Sequence, residues 1–124
     1  MTNAEFREAL ESRTRRFAVD VFKMLDALAS SNSTRIISFQ LGKSASSLGA
    51  NYREACRAES KDDFGHKLQV ALKEASESCY WLEMLLELLP SHEVIKNLHG
   101  EACELRNLLQ SIAKSVRTPK LKHS

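Results

Sequence analysis

Glycine and proline are scarce. The chain has four glycines and two prolines in 124 residues, and Pro90 and Pro119 both lie late. With so few breakers it is free to run in long uninterrupted helices. Long apolar runs are also missing. None approaches the ~20 residues that a membrane-spanning helix needs, so no membrane partner is expected. The first stretch, MTNAEFREALESRTRRF, carries charges throughout and lacks the apolar centre of a signal peptide. Cysteine is limited to Cys56, Cys79 and Cys103. An odd, widely spaced set is not a disulfide framework and reads as reduced thiols in a cytoplasmic protein. A strong charge of one sign is absent too. A formal net charge of +2 does not by itself imply a nucleic-acid partner, so that reading must rest on local clusters.

What is present is a regular apolar period. Residues Leu10, Thr14, Phe17, Val21, Met24 and Leu28 alternate steps of four and three, which is one face of a helix. Ile37, Leu41, Ser44, Leu48, Asn51 and Ala55 repeat the pattern. Phe64, Leu68, Ala71, Ala75, Ser78, Leu82, Leu85 and Leu89 form a third seam, and Ile95 to Val116 a fourth. Between the seams lie SSNSTR, with Ser33 as the expected N-cap; SKDDF, with Ser60 as N-cap and Asp62 and Asp63 in the first turn; and LLPSHE, which should end the third helix at Pro90 and start the fourth from Ser91. No strand-like alternation occurs. Four helices of roughly 25 residues, about 38 Å each, joined by short connections, must run antiparallel. The expected fold is all-α: one domain, residues 1–124, built as an up-down-up-down four-helix bundle, with a basic tail over about 117–124.

Three seams carry polar residues. In an antiparallel bundle Ser44 and Ser78 fall at similar height, and so do Thr14 and Asn51. Each pair can satisfy its own hydrogen-bonding groups and so fix the helix register; a ligand-binding role is the alternative. Two helices show a second apolar row: Ala18, Phe22, Leu25 and Ala29 in the first, and Gly65, Leu72, Cys79 and Leu86 in the third. These rows either thicken the core or pack against another subunit. On the second reading, Phe22, Leu25, Leu72 and Leu86 are candidate homo-oligomer contacts.

Catalytic and metal motifs are poorly represented. A di-iron bundle needs paired Glu-x-x-His motifs, and only Asp63-x-x-His66 occurs. Glu74, Glu77, Glu83 and Glu87 avoid the main seam of their helix. His99 and Cys103 share a helix face, but zinc needs three or four ligands. There is no nucleophile elbow and no Gly-rich phosphate loop. No catalytic residue, cofactor or metal site is expected. Basic clusters are the remaining candidates for a nucleic-acid contact. They are Arg13, Arg15 and Arg16; Arg53, Arg57 and Lys61, which make a row if the helix runs that far; and Lys120 and Lys122, with Arg117, in the tail RTPKLKHS. Glu54, Glu59, Asp62 and Asp63 lie beside the second cluster and offer the competing reading of a neutralised surface. Few aromatic residues accompany the clusters, which argues against base-stacking platforms.

The segment KSASSLGANYREA resembles one in which a basic residue, Ser-Ala, Ser-Ile, a small residue and Asn-Ile-Ala-Glu-Gly follow in order. Lys43, Ser44, Ala45, Ser47, Leu48, Ala50, Asn51 and Glu54 take those places. SKDDFGHKLQVALKEASESCYWLEMLLE is similar to the next segment of the same family through Phe64, Lys67, Leu68, Ala71, Lys73, Glu74, Ala75, Tyr80, Trp81, Leu82 and Glu83. The family is that of bacterial four-helix-bundle proteins related to the 23S ribosomal RNA intervening-sequence proteins. The detailed match runs from about Ile36 to Leu89. The resemblance implies an antiparallel bundle that assembles as a homopentamer and carries no catalytic residues. A related branch comprises accessory proteins of diversity-generating retroelements, which bind nucleic acid and a reverse transcriptase through a strongly basic surface. This chain departs from the family at Arg53, where a small residue is usual, and at Ala55, where Gly is frequent. The expected role is a non-enzymatic oligomer that holds RNA or another nucleic acid through backbone phosphates. The alternatives are a protein-binding scaffold ring and a reverse-transcriptase accessory protein.

Overall fold

A computed structural model describes residues 1–117; Lys120 and Lys122 lie outside the described residues. Four helices follow one another: α1 (Asn3–Ala27), α2 (Asn32–Cys56), α3 (Lys61–Leu88) and α4 (Glu93–Arg117). Each of the three connections, 28–31, 57–60 and 89–92, has four residues, which is too short for anything but an antiparallel neighbour. Contacts are sequential, α1 on α2, α2 on α3 and α3 on α4, and α4 returns to close against α1. The α2–α3 packing is the most extensive and the α4–α1 packing the least.

The helix starts are set by short side chains that satisfy the first free N–H groups. Thr2 and Glu5 form a reciprocal capping box at α1, with Glu5 N donating to Thr2 Oγ1 at 3.1 Å and Thr2 N to Glu5 Oε1 at 2.8 Å. Ser31, not Ser33, caps α2. Three residues beyond Ser31 stands Thr34, whose hydroxyl accepts from Ser31 N at 2.9 Å while Thr34 N donates to Ser31 Oγ at 3.1 Å. Three residues beyond Ser33 is Ile36, which has no polar group to return. Ser60 caps α3 as expected, accepting from Asp63 N at 3.1 Å. The Asp63 carboxylate, bonded by Lys67 Nζ at 3.1 Å, is held below its usual pKa.

The α3–α4 corner departs from expectation. Helix α3 stops at Leu88 rather than Pro90, because the residue before a proline is driven out of the helical region; Leu89 has φ −133° and ψ 68°. Helix α4 begins at Glu93, and His92, not Ser91, caps it, its Nδ1 accepting from Ile95 N at 3.3 Å.

The seams read from the sequence form the core. Phe17, Val21, Leu41, Leu48, Leu68, Leu82, Leu85, Ile95, Leu105 and Leu109 are buried. Ser44 and Ser78 are also buried and meet across the α2–α3 seam at 2.9 Å. With the Ser44 proton on Leu41 O at 3.2 Å, the Ser78 hydroxyl donates to Ser44, and both groups are satisfied. Thr14 and Asn51 do not pair with each other. Thr14 Oγ1 donates to Glu11 O at 3.0 Å and Asn51 Nδ2 to Ser47 O at 2.8 Å. Each finds a carbonyl on its own helix, and Asn51 is only half-buried. Helix α1 instead meets α2 over small residues. A Cβ on Gly49 would lie 3.3 Å from Thr14 Oγ1, and one on Gly42 would lie 3.0 Å from Phe22 Cε1.

Two predictions follow from this core. Ser44→Ala should lower stability by about 1–2 kcal/mol, because it leaves the buried Ser78 hydroxyl without its acceptor, and Ser78→Ala by less, since Ser44 keeps its bond to Leu41 O. The double variant should lose clearly less than the sum, which a double-mutant cycle by urea unfolding measures. The second concerns Tyr52, which is 1% exposed. Burial, the largest cause, raises its hydroxyl pKa above the ordinary phenol value and does the same to the thiol of Cys56 one turn on. Both groups stay neutral in the fold. Their contribution is fully present below the unfolded pKa values, about 8.5 for a thiol and about 10 for a phenol, and is lost as pH rises above them. Melting temperatures should therefore fall between about pH 8.5 and 11, and Tyr52→Phe should flatten the decline above about pH 10.

Candidate functional site

The outer face of α1 and α2 gathers the residues most suited to binding. On α1, Glu11, Arg15, Ala18 and Phe22 follow the four-three spacing of one stripe, and Val19 lies beside it. On α2, Phe39, Ser46, Ala50 and Arg53 form the matching stripe, which the C-cap residue Arg57 continues. The helices leave between them a groove of about 280 Å³ whose lining includes Arg15, Ala18, Val19, Phe22, Gly49, Ala50 and Arg53. It exists because Gly49 and Ala50 present almost no side chain to α1. The face is graded. Its end toward the 28–31 turn is apolar, with Phe22 45% and Phe39 69% exposed; its other end carries Glu11, Arg15, Arg53 and Arg57.

The structure separates the arginines that the sequence clusters together. Arg13 turns away from Arg15 and Arg16 toward α4. Its Nε meets Glu101 Oε2 at 2.7 Å, and its Nη2 meets Glu101 Oε1 and Glu104 Oε1 at 2.8 Å each. This fork across the α1–α4 seam raises the guanidinium pKa above its usual value, the hydrogen bond that Arg13 donates to Glu101 being the largest cause, and commits Arg13 to holding the bundle closed. Arg57 reaches Glu11 at 3.3 Å. Among the described residues, Arg15, Arg16 and Arg53 make no ion pair. The row Arg53, Arg57, Lys61 is broken. Helix α2 ends at Cys56, Arg57 is its C-cap, and Lys61 opens α3 beside Gly65, His66 and Val116.

The second apolar rows have different fates. In α3, Gly65 faces α4, a Cβ there lying 3.7 Å from Val116 Cγ1. Cys79 is buried, and Leu72 and Leu86 pack against the core. The α3 row is the edge of a wide stripe that lies toward α4, with Gly65 near Val116, while Ser78 meets Ser44 of α2. Leu25 is likewise buried in the core. Of the four expected contacts, Leu72 and Leu86 are half-buried and Phe22 is exposed. Val19 and Phe39, off every seam and therefore overlooked, join it. Their signal was available: apolar residues placed where the period demands polar ones. A second apolar patch, with Ile36 and Leu88 exposed and Trp81 and Met84 half-buried, lies between the start of α2 and the end of α3 around a shallow groove of about 300 Å³.

Among the described residues, no three His, Cys, Asp or Glu side chains are placed to hold a metal ion. His66 is exposed at the start of α3, and His99 contacts Cys103 at 3.8 Å. No helix of the described residues is long and apolar enough to cross a membrane.

Sequential antiparallel packing of four helices defines the class: an all-α four-helix bundle. The chain belongs to the 23S rRNA-intervening sequence protein family, whose profile matches residues 9–111. It is also similar to a crystal structure of a protein of unknown function from the S23 ribosomal protein family of Bacteroides thetaiotaomicron VPI-5482. The two share 36% identity with a TM-score of 0.76, over 84% of this chain and 97% of that one. No curated protein matches the chain.

The Arg13–Glu101 pair generates a prediction. Because it is bidentate and half-buried, removing both partners together should cost less than the sum of the single changes. A coupling of about 0.5–1 kcal/mol is expected, reduced by added salt, from an Arg13→Ala/Glu101→Ala cycle followed by thermal unfolding.

Proposed function

We propose that this protein is a non-enzymatic bundle that assembles with copies of itself and works as a binding platform. The observation that carries this reading is the pair of exposed apolar patches on different sides of one chain. One is the α1–α2 groove with Val19 and Phe22; the other is the α2–α3 patch with Ile36, Trp81 and Leu88. Exposed apolar surface of this kind is costly in water and marks association sites. Two different patches favour a head-to-tail contact, in which one copy's patch meets the other patch of its neighbour, and such contacts close into rings. The family resemblance implies five copies in that ring.

Light scattering on the purified protein tests the reading. The proposal expects an oligomer at micromolar concentration. Phe22→Asp should lower the mass toward that of a single chain while the helical circular dichroism is retained. Leu72→Asp should instead lower stability, since Leu72 packs half-buried against the core. A wild-type monomer at that concentration sinks the proposal.

A nucleic-acid contact is the second reading, favoured by Arg15 and Arg53, which flank one groove with no ion pair. On this reading the assembled protein holds RNA phosphates through Arg15, Arg16 and Arg53, and Arg13 takes no part. Arg15→Gln/Arg53→Gln should weaken binding to a structured RNA and reduce the slope of log K against log salt by about two, roughly one for each lost phosphate contact. Arg13→Gln should leave that slope unchanged. Fluorescence anisotropy at low salt measures both, and absence of any binding there removes the nucleic-acid reading.

A further inference from the structure

Cys79, Cys103 and His99 form a cluster that the binding surface does not use. Gly65 faces Val116. Fourteen residues further along α3 stands Cys79, and thirteen residues back along the antiparallel α4 stands Cys103. The register therefore brings the two cysteines to the same level of the α3–α4 seam. Cys79 is buried at 5% exposure, and Cys103 packs against the same core while keeping part of its surface in solvent. His99 Nε2 lies 3.8 Å from Cys103 Sγ, one turn away on the same helix. The other charged groups that act on the pair are Arg106, one turn along α4, and Glu83, one turn along α3. Cys56 stands apart, near the α2–α3 turn beside Tyr52.

We infer that Cys79 and Cys103 form a reversible dithiol–disulfide couple across the α3–α4 seam, with Cys103 as the thiol that a peroxide oxidises first. Cys103 has the access and the neighbouring base. His99 accepts its proton, and the thiolate attacks one peroxide oxygen. An S–O bond forms, the O–O bond breaks, and the released hydroxide takes the proton from His99 and leaves as water. Cys103 is then a sulfenic acid. The Cys79 sulfur attacks it next. An S–S bond forms, the S–O bond breaks, and hydroxide departs with the Cys79 proton as a second water. Two thiols lose two electrons in all, and one peroxide gains them. Burial is the largest cause that pushes the Cys79 thiol up to about 12, which suits a thiol that waits for an oxidised neighbour and does not meet the oxidant itself. The bond would tie the middle of α3 to the middle of α4, well away from the 89–92 turn that already joins them.

The test uses the full chain, reduced, freed of reductant and exposed to one equivalent of hydrogen peroxide. The inference expects a loss of about 2 Da, the mass of two hydrogens. A peptide map without reductant should show Cys79 joined to Cys103 in one chain, with Cys56 still free, and dithiothreitol should reverse both changes. Cys79→Ser should leave a Cys103 sulfenic acid that a cyclic 1,3-diketone traps. His99→Gln should slow the first step several-fold without changing the product. Cys103 driven to sulfinic acid while Cys79 stays free overturns the inference, as does a bond that uses Cys56 or joins two chains. The wild-type map decides the matter even if a variant fails to fold.

Discussion

Each helix of this bundle touches two neighbours and no more, so its apolar stripe must be wide enough to serve both. That requirement organises the rest of the molecule. In α3 one edge of the stripe, through Ser78, meets α2, and the other, through Gly65, Leu72, Cys79 and Leu86, meets α4. In α2 the edge toward α3 is rich in bulky and hydroxyl side chains, while the edge toward α1 is cut down to Gly42 and Gly49. The weakest junction, α1 with α4, is where Arg13 spans to Glu101 and Glu104. A charged fork at the rim compensates in part for a narrow apolar contact, though exposed ion pairs of this kind contribute modestly.

The small residues that let α1 approach α2 also shape the outer surface. Gly49 and Ala50 open the groove, and Phe22 lies over Gly42 with nearly half its area in solvent. The same substitutions of size thus serve packing inward and leave an apolar face outward. Beside that face stand Arg15 and Arg53. Charge is divided between paired and unpaired arginines: Arg13 and, more loosely, Arg57 are tied to carboxylates of the chain, whereas Arg15, Arg16 and Arg53 make no ion pair among the described residues.

Much of the fold was legible in the sequence, for a physical reason. The four-three period survives in single-sequence form because each buried position must be apolar whatever it touches. The Ser44–Ser78 contact was legible too, since short antiparallel connections fix relative height closely enough to match two residues. The Thr14–Asn51 pairing was not: both side chains are near enough to a carbonyl of their own helix to bond there instead. The cap at Ser31 was missed because the reciprocal partner Thr34 decides between neighbouring serines, and the α3–α4 corner because Leu89 yields to the ring of Pro90.

The sequence by itself determined the number, length and direction of the helices, the identity of most core residues, and the family resemblance that the profile match bears out. These depend on periodicity and local chemistry, which one strand of text carries. Only the tertiary structure decided which arginines are free, because the partner of Arg13 lies on another helix, some 90 residues away in the chain. It also decided that Leu25 is buried and Leu72 and Leu86 half-buried against the core, while Val19, Phe22 and Phe39 are exposed. A row of apolar residues has the same spacing whether it faces a third helix or water, and the difference lies in where the other helices stand.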